Sequence, residues 1–350
     1  MHRLLKVTSI AMILGSSVSL RAGETVTIEN VVDPGANRLD ETIAQEFSLE
    51  RAIHFIDSAA LSWQKKRKCF TCHTNFAYLY ARPLISSDAP AHREVRRFAE
   101  QLVSERWPKK GPRSDAEVVA AAAALAFNDA ATTGKLHEQT KVALDRMWTM
   151  QREDGGWNWL KCNWPPMEQD DHYGVTLAAI AAGSAPGDYA QTDAAKEGIA
   201  GIRNYVKNNP PDNPHQQAML LWAAKYHDGM MSDEDKQACI VRLFSLQKEN
   251  GGWSAATLGD WERKDGKKQD FTTSDGYGTG FVVFVLRQAD VAKTDPRLRQ
   301  AVQWLRSHQR ESGRWFTRSL NRDNKHFLTH AGTAFAVMAL AACDEDAAAD

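Results

Sequence analysis

The run Lys68-Cys69-Phe70-Thr71-Cys72-His73 holds the residues best placed, by type and spacing, for covalent cofactor chemistry. Cys-x-x-Cys-His is the attachment signature of a c-type haem: two thiols add to vinyl groups and the adjacent histidine becomes the proximal iron ligand. The spacing matters because Cys69 and Cys72 must reach opposite vinyls while His73 stays beneath the iron. Two other readings stay open. Cys69 and Cys72 form a disulfide in an oxidising compartment, or the three residues join a distant fourth ligand around a metal. Methionines and histidines are too scattered to name a sixth iron ligand. Of the other cysteines, Cys162, Cys239 and Cys343, the last two fall in helical patterns where a buried thiol is the plain expectation.

A second cluster is Glu168-Gln169-Asp170-Asp171 at the start of an apolar run. Adjacent carboxylates raise one another's pKa, which an acid still protonated near neutrality requires. Acids at that place also simply cap a helix. Further polar residues precede or open other apolar runs: His172, Tyr173, His215, Asp275, Tyr277, His326 and His330. If those runs are the inner helices of a ring, these residues converge at one end of its central cavity as a binding site.

The elements that would position them repeat. TKVALDRMWTMQ, from Thr140, places Ala143, Met147 and Met150 at helical spacing; QREDGGW, Gln151 to Trp157, ends that helix; EQDDHYGVTLAAIAAG begins an apolar one. The same loop returns as QKENGGW (Gln247 to Trp253) and QRESGRW (Gln309 to Trp315). A glutamine there can bridge backbone groups at the helix end while the tryptophan covers the loop, tying neighbouring outer helices together. Repeats at periods of this kind mean solenoids or closed arrays.

These three loops resemble the QW motifs of squalene-hopene cyclases and other class II terpene cyclases, and the same helix-pair unit builds protein prenyltransferase β subunits. The resemblance implies an all-α (α/α)6 toroid. Six amphipathic-then-apolar pairs can be counted, beginning at Ser48, His92, Thr140, Thr192, Ser232 and Asp295, with Ser114 and Glu117 as a capping box. A full squalene cyclase has two such helical domains, so the resemblance covers one. It matches Asp170 to the alkene-protonating aspartate of the cyclases' Asp-x-Asp-Asp motif and Asp171 to its neighbour, with Glu168 where the family has aspartate. Prenyltransferases hold zinc through Asp-x-Cys and a histidine; here Asp275-Gly276-Tyr277 and His330 lack the cysteine, and a catalytic zinc needs three protein ligands, so zinc is not expected.

Composition agrees with a globular chain: 350 residues, 43% hydrophobic, net charge -1. No basic cluster is dense enough to track phosphates, which argues against nucleic acid. Residues 1–23 read as a signal peptide, with Arg3 and Lys6 before an uncharged apolar stretch from Val7 to Leu20; a retained anchor is the alternative. Cleavage would place the protein in a periplasm or equivalent compartment. Haem attachment occurs after export, so leader and Cys-x-x-Cys-His support one another. Residues 24–46 read as an extended lead-in, 47–343 as the toroid domain and 344–350 as a tail. Three functions remain: an exported haem c redox protein with an electron-transfer partner; a cyclase-like enzyme acting on an isoprenoid or other apolar ligand through Asp170; and a non-catalytic binding module.

Overall fold

The computed structural model describes residues 25–325 and 327–344. The expected signal peptide and all but the first residue of the tail therefore lie outside the described residues, as does His326. No described helix is long and apolar enough to cross a membrane.

Helices alternate between an outer and an inner ring. The outer ring holds α1 (Leu49–Arg67), α3 (Pro90–Gln101) continued by α4 (Trp107–Lys110), α6 (Glu138–Trp148), α8 (Asp193–Asn208), α10 (Asp233–Ser245) and α12 (Pro296–Ser307). The inner ring holds α2 (Ala77–Ala81), α5 (Asp115–Thr132), α7 (Asp171–Ser184), α9 (Pro214–Ala223), α11 (Gly276–Gln288) and α13 (Leu328–Cys343). Each inner helix packs on the next, and α13 meets α2, so the expected (α/α)6 toroid closes. Outer helices bury one stripe, such as Ala195, Gly198, Ile199, Ile202 and Tyr205 of α8, whereas inner helices are buried nearly all round. That is why the inner sequences are rich in alanine and glycine: a Cβ on Gly280 of α11 would sit 2.5 Å from the backbone nitrogen of Ala336 in α13.

The three QW loops form one joint used three times. The indole N–H of Trp157, Trp253 and Trp315 donates to Met147, Leu243 and Leu305 carbonyls, at 3.0, 2.7 and 2.7 Å. All three tryptophans are fully buried. The glutamine amide spans its own loop and the next outer helix: Gln151 donates to Gly155 and Gly198, Gln247 to Gly251 and Arg297. Gln309 donates to Gly313 and to Ser48, and its carbonyl accepts the Ser48 N–H at 2.8 Å, which joins the last outer helix to the first. Gly155, Gly251 and Gly313 have φ of +89°, +90° and +91°, so the fifth position of the motif needs glycine.

The first inner helix is short: only Ala77–Ala81 is α-helical, between a π-helical turn at Cys72–Phe76 and a 3-10 turn at Arg82–Leu84, where Pro83 removes a donor. At Ser114 the hydroxyl accepts the Glu117 N–H, yet the Glu117 carboxylate accepts the N–H of Arg113. The lead-in is not loose chain: Ile43 pairs with Arg310, Ala44 N–H donates to the Gln309 carbonyl, and the buried Arg314 guanidinium bonds the Pro34 and Ala36 carbonyls and Glu41.

Gln309→Ala is expected to lower stability by about 2–3 kcal/mol in urea denaturation, because it removes three bonds of a buried side chain and leaves the part-buried Ser48 N–H without its partner. Gln247→Ala, at a more exposed joint, should cost about 1 kcal/mol; equal losses would remove the special status of the closing seam.

Candidate functional site

The loop Cys69 to His73 leaves α1 through Lys68, whose φ of 49° turns the chain, and enters α2 through the π-helical turn. His73 therefore opens the first inner helix, the same kind of place that Asp170, His215, Asp275 and His330 occupy in theirs. Its Nε2 lies 3.0 Å from the Thr71 hydroxyl and its Nδ1 3.1 Å from that of Thr74, which in turn lies 3.0 Å from Nδ1 of His330. The ring stacks on Phe327 at 5.1 Å and meets the edge of Trp63 at 5.2 Å. Burial, aided by His330, pushes His73 down to about 3, and burial with the Arg314 charge brings His330 down to about 4, so both rings are neutral near pH 7. Cys69 and Cys72 are unbonded to one another and half-buried. Burial, then the nearby Glu168 charge, pushes the Cys72 thiol up and keeps it protonated.

His73 borders a cleft of about 270 Å³ whose walls include Trp63, Trp164, Met167, Glu168 and Phe327, with Arg67 and Lys325 beside them. The indole N–H of Trp63 is buried there with no hydrogen-bond partner. A second cleft, about 280 Å³, shares Trp63, Arg67 and Phe327 and extends to His330 and the lead-in at Asp33 to Asn37. A third, about 340 Å³, is lined by Asp275, Asp270, Phe316, Arg318 and Asp323 among others.

The acids of Glu168 to Asp171 part company. Asp170 caps α7, accepting the Tyr173 N–H at 3.2 Å. Asp171 pairs with Arg152 at 2.9 Å and Lys161 at 3.2 Å and accepts the Trp159 N–H. Only Glu168 reaches the His73 cleft; burial raises its carboxyl, which makes no hydrogen bond or ion pair to a described residue. Asp275 accepts the Gly278 and Ala255 N–H groups at 2.8 and 2.7 Å, but burial outweighs them and pushes it up to about 7. Two carboxyls that the sequence ranks equally with the others, Glu168 and Asp275, are thus the ones held towards their neutral form.

The other inner-helix starts converge, but onto their own rings. His215 donates to or accepts from the Tyr277 hydroxyl at 2.9 Å, stacks on Phe281 at 4.6 Å and faces Tyr173 at 6.1 Å, and all three polar residues are buried. Burial takes His215 down to about 3. Deeper in the ring, Trp222 meets Phe127, Phe284 and Phe335 edge-on. The centre expected as a cavity is filled at this level, and the clefts lie around it. His172 is 5% exposed, packs edge-on to Tyr205 at 6.3 Å, and neither ring nitrogen meets a hydrogen-bond partner. Asp275, Tyr277 and His330 bond three different partners, and among the described residues no three His, Cys, Asp or Glu are disposed to hold a metal ion. Trp63, Phe327 and Met167 were not singled out in the sequence; the helical stripe of α1 holds Trp63, but nothing local says that Phe327 lies opposite.

Comparison with known proteins bears on this scaffold. The squalene-hopene cyclase C-terminal domain family matches residues 271–350. No curated protein matches the sequence. Among solved structures, the chain is similar to ent-copalyl diphosphate synthase from Streptomyces platensis with a TM-score of 0.50 and 15% identity, over 77% of this chain and 50% of that one. It thus spans about half of that synthase. An inactive variant of alpha-1,6-mannanase GH76A of Salegentibacter sp. HEL1_6, in complex with alpha-1,6-mannotriose, has a TM-score of 0.52 and 12% identity, over 84% of this chain and 99% of that one. The scaffold is a squalene cyclase-like toroid. Identities this low speak for fold alone.

Two outcomes follow from the acids. Asp170→Ala should cost about 1 kcal/mol and Asp170→Asn almost nothing, because asparagine caps as well. For Asp275 the folded pKa of about 7 lies above the ordinary 3.8. Its contribution is therefore complete below the unfolded value and lost as pH rises through about 7, by no more than about 4 kcal/mol. Urea midpoints at about pH 5 and about pH 8 should differ in this sense for the native chain and less for Asp275→Asn.

Proposed function

We propose that this chain is an exported redox protein that carries haem c covalently at Cys69 and Cys72, with His73 as proximal ligand, on a squalene cyclase-like toroid. The observation that carries the reading is that His73, which ends the Cys-x-x-Cys-His run with both thiols unbonded, lines an aromatic cleft together with Trp63, Arg67 and Lys325. Haem suits that lining, because its carboxylates would meet Arg67 and Lys325 and its macrocycle the aromatic walls.

When bound, haem iron supplies one-electron transfer. The protein's own part is attachment and orientation. Cys69 and Cys72 would hold the haem as thioethers, by addition of S–H across its vinyl groups, which consumes no oxidant. Reduced cysteines, unbonded to one another, are the form this attachment needs. His73, being neutral, carries one N–H. Thr74 accepts it at Nδ1 and donates onward to the neutral His330, which leaves the Nε2 lone pair for iron. That lone pair now accepts from Thr71, a bond that ligation would replace. The proposal includes a periplasmic or equivalent location, an electron-transfer partner, and an apolar ligand of isoprenoid type as a substrate of the redox centre.

A second reading, acid catalysis on such a ligand, is favoured by the Asp275 carboxyl, held near neutrality at the wall of the 340 Å³ cleft. Asp170, which matches the cyclase proton donor, is occupied in capping.

Produced with export in a host competent for cytochrome c maturation, the protein should give a haem-stained band on a denaturing gel and a reduced-minus-oxidised haem spectrum. Cys72→Ala should reduce the stain strongly, and His73→Gln should retain covalent haem with an altered spectrum. A colourless protein with a Cys69–Cys72 disulfide would overturn the reading and leave the binding-module function.

A further inference from the structure

The 340 Å³ cleft takes none of its walls from the Cys69 to His73 loop; the lead-in, the loops after Trp253 and Trp315 and the approach to α11 build it. Three of its side chains are held by one end and offer the other. Asn37 Nδ2 donates to the Thr317 carbonyl at 3.0 Å, which fixes the amide and leaves Oδ1 buried with no hydrogen-bond partner. Gln269 Nε2 donates to the Trp261 and Leu320 carbonyls at 2.8 and 2.9 Å, so Oε1 is the end left over. Asp270 Oδ1 accepts the Thr272 N–H, the Thr272 hydroxyl and the Thr273 N–H at 2.9, 2.8 and 3.0 Å, and Oδ2 has no bond to a described residue. Burial pulls that carboxyl upwards, but the Thr273 and Thr272 donors outweigh it and bring it down to about 2. An acceptor buried without a donor is costly, and none of these groups can turn away without breaking the bonds at its other end.

Charge on the walls is close to balanced. Arg318 directs Nε and Nη2 to Asp323 at 2.8 and 3.2 Å and Nη1 to the Lys268 carbonyl at 3.3 Å, and each terminal nitrogen keeps an N–H in hand. Asp270 carries the opposite sign. Neither a cation nor an anion is singled out, and a neutral group that both donates and accepts suits the oxygens and the guanidinium together. The hydroxyl is that group. The rest of the lining is apolar: half-buried Phe316, buried Leu320, and Leu39, which is 67% exposed. A sugar ring has the same division between a rim of hydroxyls and a face of C–H groups. At 340 Å³ the cleft lies near the lower end of ligand pockets, about 300–1,000 Å³, which suits a mono- or disaccharide. Asp275 stands aside, because both its oxygens accept backbone N–H groups.

We infer that this cleft binds a neutral sugar whose hydroxyls donate to Asn37 Oδ1, Gln269 Oε1 and Asp270 Oδ2 and accept from Arg318, while its C–H face lies on Phe316. The inference is independent of haem, and it calls for a hydroxyl-rich ligand in place of the apolar one that acid catalysis at Asp275 would take.

The test titrates the full exported chain by calorimetry with D-glucose, D-mannose, D-galactose, maltose and cellobiose, and with geraniol as an isoprenoid that carries a single hydroxyl. At least one sugar should bind saturably, and geraniol should not compete with it. Asp270→Asn, which keeps an oxygen for the Thr272 and Thr273 donors, and Phe316→Leu should each weaken that sugar by about tenfold or more in protein whose circular dichroism is unchanged. Glu168→Gln, in the cleft beside His73, should leave the affinity as it was. Absence of binding by every sugar, or binding indifferent to both variants, overturns the inference and leaves the haem reading intact. Displacement of the sugar by geraniol overturns it in favour of an isoprenoid ligand at Asp275.

Discussion

The Gln309 carboxamide, bonded to both the N–H and the carbonyl of Ser48, is the joint on which the ring depends. A closed array of helix pairs has no free end only if its first and last units find each other, and this is where they do. The same side chain at Gln151 and Gln247 fixes the spacing between other neighbouring outer helices, each time by bonding a loop carbonyl and one on the next helix. Once the outer helices are indexed in this way, the inner ones have no choice of direction. Their N-termini gather at one end, and so do the polar residues that open them.

Gathering polar groups does not by itself make a cavity. Here the inner helices also bring Tyr173, His215, Tyr277 and Phe281 to the axis, and these rings consume the space between them. What remains open lies off the axis, between the mouth of the ring and the segments laid over it. His73 is on the first inner helix and Glu168 on the approach to the third, and the cleft they share is walled by an outer helix at Trp63 and by Phe327. The cleft beside His73 therefore lies to one side of the aromatic cluster formed by Tyr173, His215, Tyr277 and Phe281.

The architecture was legible because its signals are local and repeated. Gln–Gly–Trp loops, small-residue inner helices and amphipathic outer ones each announce themselves within about a dozen residues. The Cys69–Cys72–His73 run was equally plain as a pattern of residues. What could not be read was burial across the chain. Asp170 and Asp275 both open apolar helices and both cap them, yet burial at Asp275 is deep enough to lift its carboxyl to about 7. No pattern in the neighbouring residues separates the two. The pairing of Trp63 with Phe327, and the role of Asp33 to Asn37 as the edge of a cleft, likewise arise from segments that are far apart in sequence.

The closing seam also sets an order of assembly. Ser48 and Gln309 are 261 positions apart, whereas Gln151 reaches Gly198 across 47. Contacts of long sequence separation carry the larger loop-closure entropy and form after local ones have reduced it. A chain whose central helix pairs have already docked still has its first outer helix unjoined to its last. In that partly assembled state the strap from Asp33 to Ile43, which the finished seam holds against Arg310 and Arg314, is not yet seated. The loop carrying Cys69 and Cys72 follows the first outer helix directly, so its final place too is set only when the ring shuts.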